Sequence, residues 1–184
     1  MLVLLVQANT VLSLPVDLTS TSGSPVVFPN MVSNTSPRNI TISGCSLIYA
    51  DELTLNSTLP LLRADCAQDC DIDDVKFKGP VPYASSNNDS VGIEIRGSSG
   101  ITSKNLRITR CVFDSLRYGI KSDYDIEDTA IDNNRFQNLF RGIVYGETAR
   151  AGNQTGPVRS RITRNVFYTI SKEAVKVVNS GTVY

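Results

Sequence analysis

A chain of 184 residues is about the length of one domain, and its 41% hydrophobic content can support a core. Eighteen basic residues balance eighteen acidic ones, which argues against nucleic acid as the main partner and leaves no polybasic run for a membrane surface. Histidine is absent, which removes Ser-His-Asp triads, Cys-His nucleophiles and His-ligated metal sites, and no segment approaches the roughly 20 apolar residues of a membrane span.

The first six residues, MLVLLV, are apolar, but no Lys or Arg precedes them and the run breaks at Gln7. That predicts a strand rather than a secretory signal. Residues 1–36 are strand-like and rich in Ser, Thr and Pro, and read as an irregular N-terminal lid or coil. Residues 37–184 are built on a repeated phrase. It opens weakly at Ile42 (ISGCSL) and Ile72 (IDDVKF), then strongly in residues 108–120 (ITRCVFDSLRYGI), 131–143 (IDNNRFQNLFRGI) and 162–175 (ITRNVFYTISKEAV). A small residue plus Ile or Val closes the later units: Gly92-Ile93, Gly119-Ile120, Gly142-Ile143 and Ala174-Val175. The anchoring isoleucines stand 30, 36, 23 and 31 residues apart, and self-similarity at this spacing implies a solenoid.

The local period says which kind. Apolar residues alternate with polar ones, as in Leu106/Ile108 and Ile93/Ile95, and no window of helical length carries a 3.6-residue period. Strands of three to five residues are predicted, each ending at Asn, Asp, Gly or Ser, with the Phe after each bend pointing into the core. The third position after each anchor is Cys45, Val75, Cys111, Asn134 and Asn165. Asn there would tolerate a left-handed bend, and stacked amides would form a partial hydrogen-bonded ladder. Three strands per turn of chain, stacked roughly 4.8 Å apart, give an all-β, parallel β-helix solenoid of about five to six coils.

On these motifs residues 38–178 resemble the right-handed parallel β-helix of the pectate-lyase-like superfamily. The resemblance implies that fold. It leaves function open among polysaccharide lyases, glycoside hydrolases, epimerases and bacteriophage tailspikes or fibres. The N-T-D, D-D, G-H-G and R-I-K motifs of the hydrolase branch are absent. The pattern stops at VKVVNSGTVY without a cap, and an open sheet edge pairs with other chains, so self-association or contact with other subunits is expected.

Without histidine, what remains is carboxylate chemistry or Arg/Lys bases. Glu94 and Asp123 fall on adjacent coils and are the candidate catalytic pair, within the range of roughly 5–10 Å that glycosidase carboxylates use. A lyase would instead use calcium at Asp123, Asp125 and Asp128, with Arg96 or Lys121 as base; no other cofactor and no metal-ligand set is expected. Opposite charges on stacked strands also stabilise one another, which by itself explains Glu94 beside Lys121. Arg96, Lys121 and Lys176, with Tyr124 and Tyr168 nearby, line a face suited to glycan contact. The acids of residues 69–74 (DCDIDD) read as a solvated strand face. Cys45, Cys66, Cys70 and Cys111 read as buried thiols, with a Cys66–Cys70 disulfide as the alternative. The expected function is a rigid module of a phage tail spike, tail fibre or similar appendage, on the virion or outside the cell. An extracellular lyase or hydrolase is the alternative.

Overall fold

The computed structural model describes residues 11–13, 17–20, 26–28, 41–43 and 46–49 as backbone strands. It describes residues 60–65, 67–79, 90–97, 102–122, 126–146 and 157–178 more fully. Met1–Val6, Cys45, Cys66 and the residues 123–125 lie outside the described residues, as do residues 80–89 and 147–156.

The described residues are all-β, in two parallel sheets of eight and ten strands. The strands fall into six tiers of three. The first holds β1 (Val11–Ser13), β2 (Asp17–Ser20) and β3 (Val26–Phe28), and the second β4 (Thr41–Ser43), β5 (Ser46–Tyr49) and β6 (Pro60–Asp65). The third holds β7 (Gln68–Asp73), β8 (Lys76–Lys78) and β9 (Val91–Arg96), and the fourth β10 (Ser103–Thr109), β11 (Val112–Asp114) and β12 (Tyr118–Ser122). The fifth holds β13 (Ile126–Glu127), β14 (Ala130–Asp132) and β15 (Arg135–Tyr145), and the sixth β16 (Pro157–Val158), β17 (Arg161–Thr163) and β18 (Val166–Val177). In the first three tiers each strand pairs with the third strand on in sequence, so neighbouring tiers supply one another's hydrogen bonds.

The repeat phrases stack in register. Ile42, Ile72, Ile108, Ile131 and Ile162 are successive cross-strand partners. Leu47, Phe77, Phe113, Phe136 and Phe167 form a second column. The four rings stack almost flat, with centroids 4.8, 4.7 and 4.9 Å apart and planes within 11°. That separation is the spacing between strands, so identical rings on identical positions have no other arrangement available. The closing glycines make room for them. A Cβ on Gly119 would lie 2.7 Å from the Gly142 carbonyl oxygen and 2.8 Å from Phe136 Cδ1, and Gly92 and Gly142 face the rings of Phe113 and Phe167 in the same way. Cys70 and Leu106 are cross-strand partners with buried side chains, and Cys70 and Cys111 are free thiols.

Two expectations need correction. The left-handed bend residue is not the third after each isoleucine but the one before it: Asp74, Arg110, Asn133 and Arg164 all have φ between 53° and 55°. Two further columns, Asp69/Asn105/Asp128/Arg159 and Ser115/Asn138/Thr169, are left-handed too. The third position instead carries the ladder. Asn134 Nδ2 donates to Ile108 O at 2.9 Å and to Asn165 Oδ1 at 3.0 Å, and Asn165 Nδ2 donates to Ile131 O at 2.8 Å. Each Oδ1 accepts a main-chain N–H from the tier before, Cys111 N to Asn134 and Asn134 N to Asn165. Cys111 Sγ sits 3.5 Å from Ile72 O, where an amide would otherwise donate. The strands are also not uniformly short: β15 has 11 residues and β18 has 12. Asn138 and Thr169 kink these strands without ending them, and the register slips between Leu139 and Arg141.

Candidate functional site

Most of the candidates read from the sequence lie on the outer face of the second sheet. Glu94, on β9, is held from two sides: Arg63 Nε on β6 donates to Oε2 at 3.1 Å, and Arg96 Nη2 donates to Oε1 at 3.0 Å. Its side chain is only 14% exposed. Lys121 is the cross-strand partner of Glu94, as the repeat predicts, but its ammonium lies over the Tyr118 ring at 5.4 Å. Lys176 follows Val144 in the same column. Val144, which strand alternation places on the outward side with Glu94 and Lys121, is fully buried and packs with Val91 and Tyr118 in a small apolar cluster outside the main core. Asp123, the proposed partner of Glu94, and Tyr124 lie outside the described residues, so the structure does not bring the catalytic pair together or separate it.

Sequence reasoning missed three residues on this face. Arg63 stands 31 residues before Glu94, one repeat step away, so the repeat arithmetic could have found it. Arg141 Nε donates to Glu173 Oε2 at 2.6 Å across 32 residues, and Arg141 is 5% exposed. The Arg141 guanidinium also lies over both Tyr118 and Phe140, at 5.7 and 5.3 Å. A guanidinium this deeply buried needs both a carboxylate and ring faces to offset its lost hydration.

From the third tier to the sixth, the outer face of the first sheet alternates in charge. Acids of β7 meet arginines of the next tier: Arg107 binds Asp71 through two bonds of 2.5 and 2.6 Å, and Arg110 binds Asp73 through Nε at 2.9 Å and through Nη2. The pattern recurs two tiers on, where Arg164 binds Asp132 and Arg159 binds both Asp128 and Glu127. The residue 69–74 acids are therefore an engaged face rather than merely a solvated one. The Arg164 guanidinium and the Thr163 hydroxyl hold the Asp132 carboxyl down at about 2, and Arg110 and Arg159 lower Asp73 and Asp128 in the same way. Asp128, the one described member of the calcium triplet, thus has both carboxylate oxygens on Arg159. Among the described residues no group of three or more His, Cys, Asp or Glu side chains is placed to hold a metal ion. No protein-family model, no curated protein and no solved structure matches this chain.

Proposed function

We propose that the chain is a right-handed parallel β-helix of six coils, of the pectate-lyase-like kind. In this reading it serves as a rigid structural module of a phage tail spike, tail fibre or similar surface appendage, with glycans contacted along its flanks. One observation supports this above others: the outward carboxylates bind the neighbouring tier. Asp71, Asp73, Asp128, Asp132, Glu94 and Glu173 each reach an arginine one tier away. Together with the ring stack and the amide ladder, this uses the polar surface to hold tier on tier, as a rod requires. A catalytic carboxylate would instead need free lone pairs directed at a substrate.

Light scattering over a range of protein concentrations, with the same sample assayed for release of reducing ends from polysaccharides, tests the reading. A stable oligomer that releases nothing is the expected result. A monomer at every concentration that degrades a polysaccharide would sink it and move attention to the lyase or hydrolase alternative, beginning with Glu94→Gln and Asp123→Asn.

A further inference from the structure

The sixth tier is covered on one side only. Among the described residues β16, β17 and β18 each pair with a strand of the fifth tier and with no other, so their far edges present unpaired main-chain groups. The core columns are open there too. Ile131, Phe136 and Leu139 are fully buried, whereas their register partners Ile162, Phe167 and Ile170 are only partly buried. Phe113 and Phe136 each have a ring stacked on both faces, and Phe167 has one on a single face. In the amide ladder the N–H groups of Cys111 and Asn134 donate to an amide one tier on, the direction in which Asn165 N–H meets the open edge. The charge is one-sided as well. Residues 157–178 carry Arg159, Arg161, Arg164, Lys172 and Lys176 against one acid, Glu173. Arg161 has Ala130 as its register partner and makes no ion pair among the described residues. In the fourth tier, Arg107 and Arg110 line one groove with Asp71 and Asp73 of the tier before and Asp132 of the tier after. Arg161 and Arg164 stand in the same columns two tiers on, with acid on one side alone.

We propose that the far edge of the sixth tier is a docking surface for an acid-bearing β-strand segment of another protein, added in parallel as a seventh tier. Its backbone pairs with the open edges of β17 and β18. Its carboxylates stand in the columns of Arg161 and Arg164, an Asn or Asp side chain accepts from Asn165 N–H, and an aromatic ring closes the free face of Phe167. A second copy of this chain does not meet those needs. Sixth tier against sixth tier sets five cations of one copy against five of the other. The first tier carries Val11 and Ser13 in the columns of Asp71 and Asp73, and its one strand acid, Asp17, falls in the column of Val166. The inference deepens the rod reading by stating what the sixth tier accepts, and it leaves self-association to other surfaces.

Fluorescence anisotropy of a labelled peptide with the sequence of residues 126–139 (IEDTAIDNNRFQNL), titrated with the whole chain, tests it. That segment carries the acids, Ile, Asn and Phe of a tier that already binds the sixth. Binding is expected to weaken about tenfold or more with Arg161→Gln in the chain, because a lost charge-assisted hydrogen bond is worth roughly that much. Replacing Glu127, Asp128 and Asp132 of the peptide by Gln and Asn should weaken it at least as far. A peptide carrying Ile131→Pro keeps its charge but loses strand pairing, and should bind as weakly. Arg107→Gln, within the fourth tier, should leave binding unchanged. Arg161 is exposed, so matching circular dichroism and melting curves will show the variant folded. No binding, equal binding of the acid-free or the proline peptide, or binding indifferent to Arg161→Gln would each overturn the proposal. An oligomer of the chain that the peptide disperses would overturn it too, by placing a second copy on the edge. A monomer that degrades a polysaccharide yet binds the peptide through Arg161 would retain this inference and lose the rod, whereas an inert oligomer that ignores the peptide would do the reverse.

Discussion

The outer face of the first sheet and the bend beside it are built from the same tiers, yet the first pairs Asp71, Asp73, Asp128 and Asp132 with arginines and the second leaves Arg135 without an ion pair among the described residues. On the sheet, acid-bearing strands alternate with arginine-bearing ones, so Asp71 meets Arg107 and Asp132 meets Arg164. At the bend, Arg135 falls between Val112 and Val166, and its side chain makes no ion pair among the described residues. Exposure does not separate them, since Arg164 is 77% exposed and still paired. Register separates them: a side chain in a stacked fold is free or engaged according to what the tiers on either side place in its column.

Four tests break or sharpen that contrast. Register depends on the core, so Phe113→Ala is expected to do the most damage, removing a ring with neighbours stacked on both faces. Loss of about 3–5 kcal/mol in urea unfolding is expected. A value under about 1 kcal/mol would mean the ring column does not set the register. Asn134→Ala should cost less, about 1–3 kcal/mol. It removes a buried amide that bonds to Ile108 O and Asn165 and accepts from Cys111 N, and leaves those groups short of partners. Denaturant midpoints of the single variant, and of one in which Asn165 is also changed, would show whether the two amides act as a unit.

The third test is by pH. Asp132 has its folded pKa lowered to about 2 from an ordinary 3.8, so its contribution is complete above about 4 and is lost as pH falls towards 2. Thermal melts of the parent and of Asp132→Asn should therefore differ by a constant amount above pH 4 and converge as pH approaches 2. A difference that grows on acidification would reverse the assignment. The smallest effect is expected at the exposed pair Arg107–Asp71. Arg107→Gln should cost less than about 1 kcal/mol and less still in high salt. Melts at low and high ionic strength will check this.

The core was readable before the structure because it repeats at every tier. Five isoleucines, the phenylalanines and the Gly-Ile closings carry one residue type per column, and each landed in register. The outer face was less readable. Its partners depend on knowing the register across unequal steps of 30, 36, 23 and 31 residues, which is why Arg63 with Glu94 and Arg141 with Glu173 went unseen. The bend was misread by one residue because Asp74, Arg110 and Arg164 occupy the left-handed slot beside Asn133. Arginine gives no propensity signal for it, and here the next tier imposes it: Asp74 N–H donates to Thr109 O and Asn133 N–H to Thr163 O. Val144 looked outward by alternation, but an apolar cluster on that side covers it.

The two columns that hold the tiers together do not share a wavelength. Apolar residues recur at every tier, whereas from the third tier to the sixth the charges of the first sheet recur at every second one. A deletion removing β10 to β12 would set Phe77 on Phe136 without loss, yet it would press Asp73 against Asp132 and Asp69 against Asp128. Removing β10 to β15 together would bring Asp69 to Arg159 and Asp73 to Arg164. Hydrophobic matching permits the chain to shorten or lengthen one tier at a time, and charge matching permits it only in pairs.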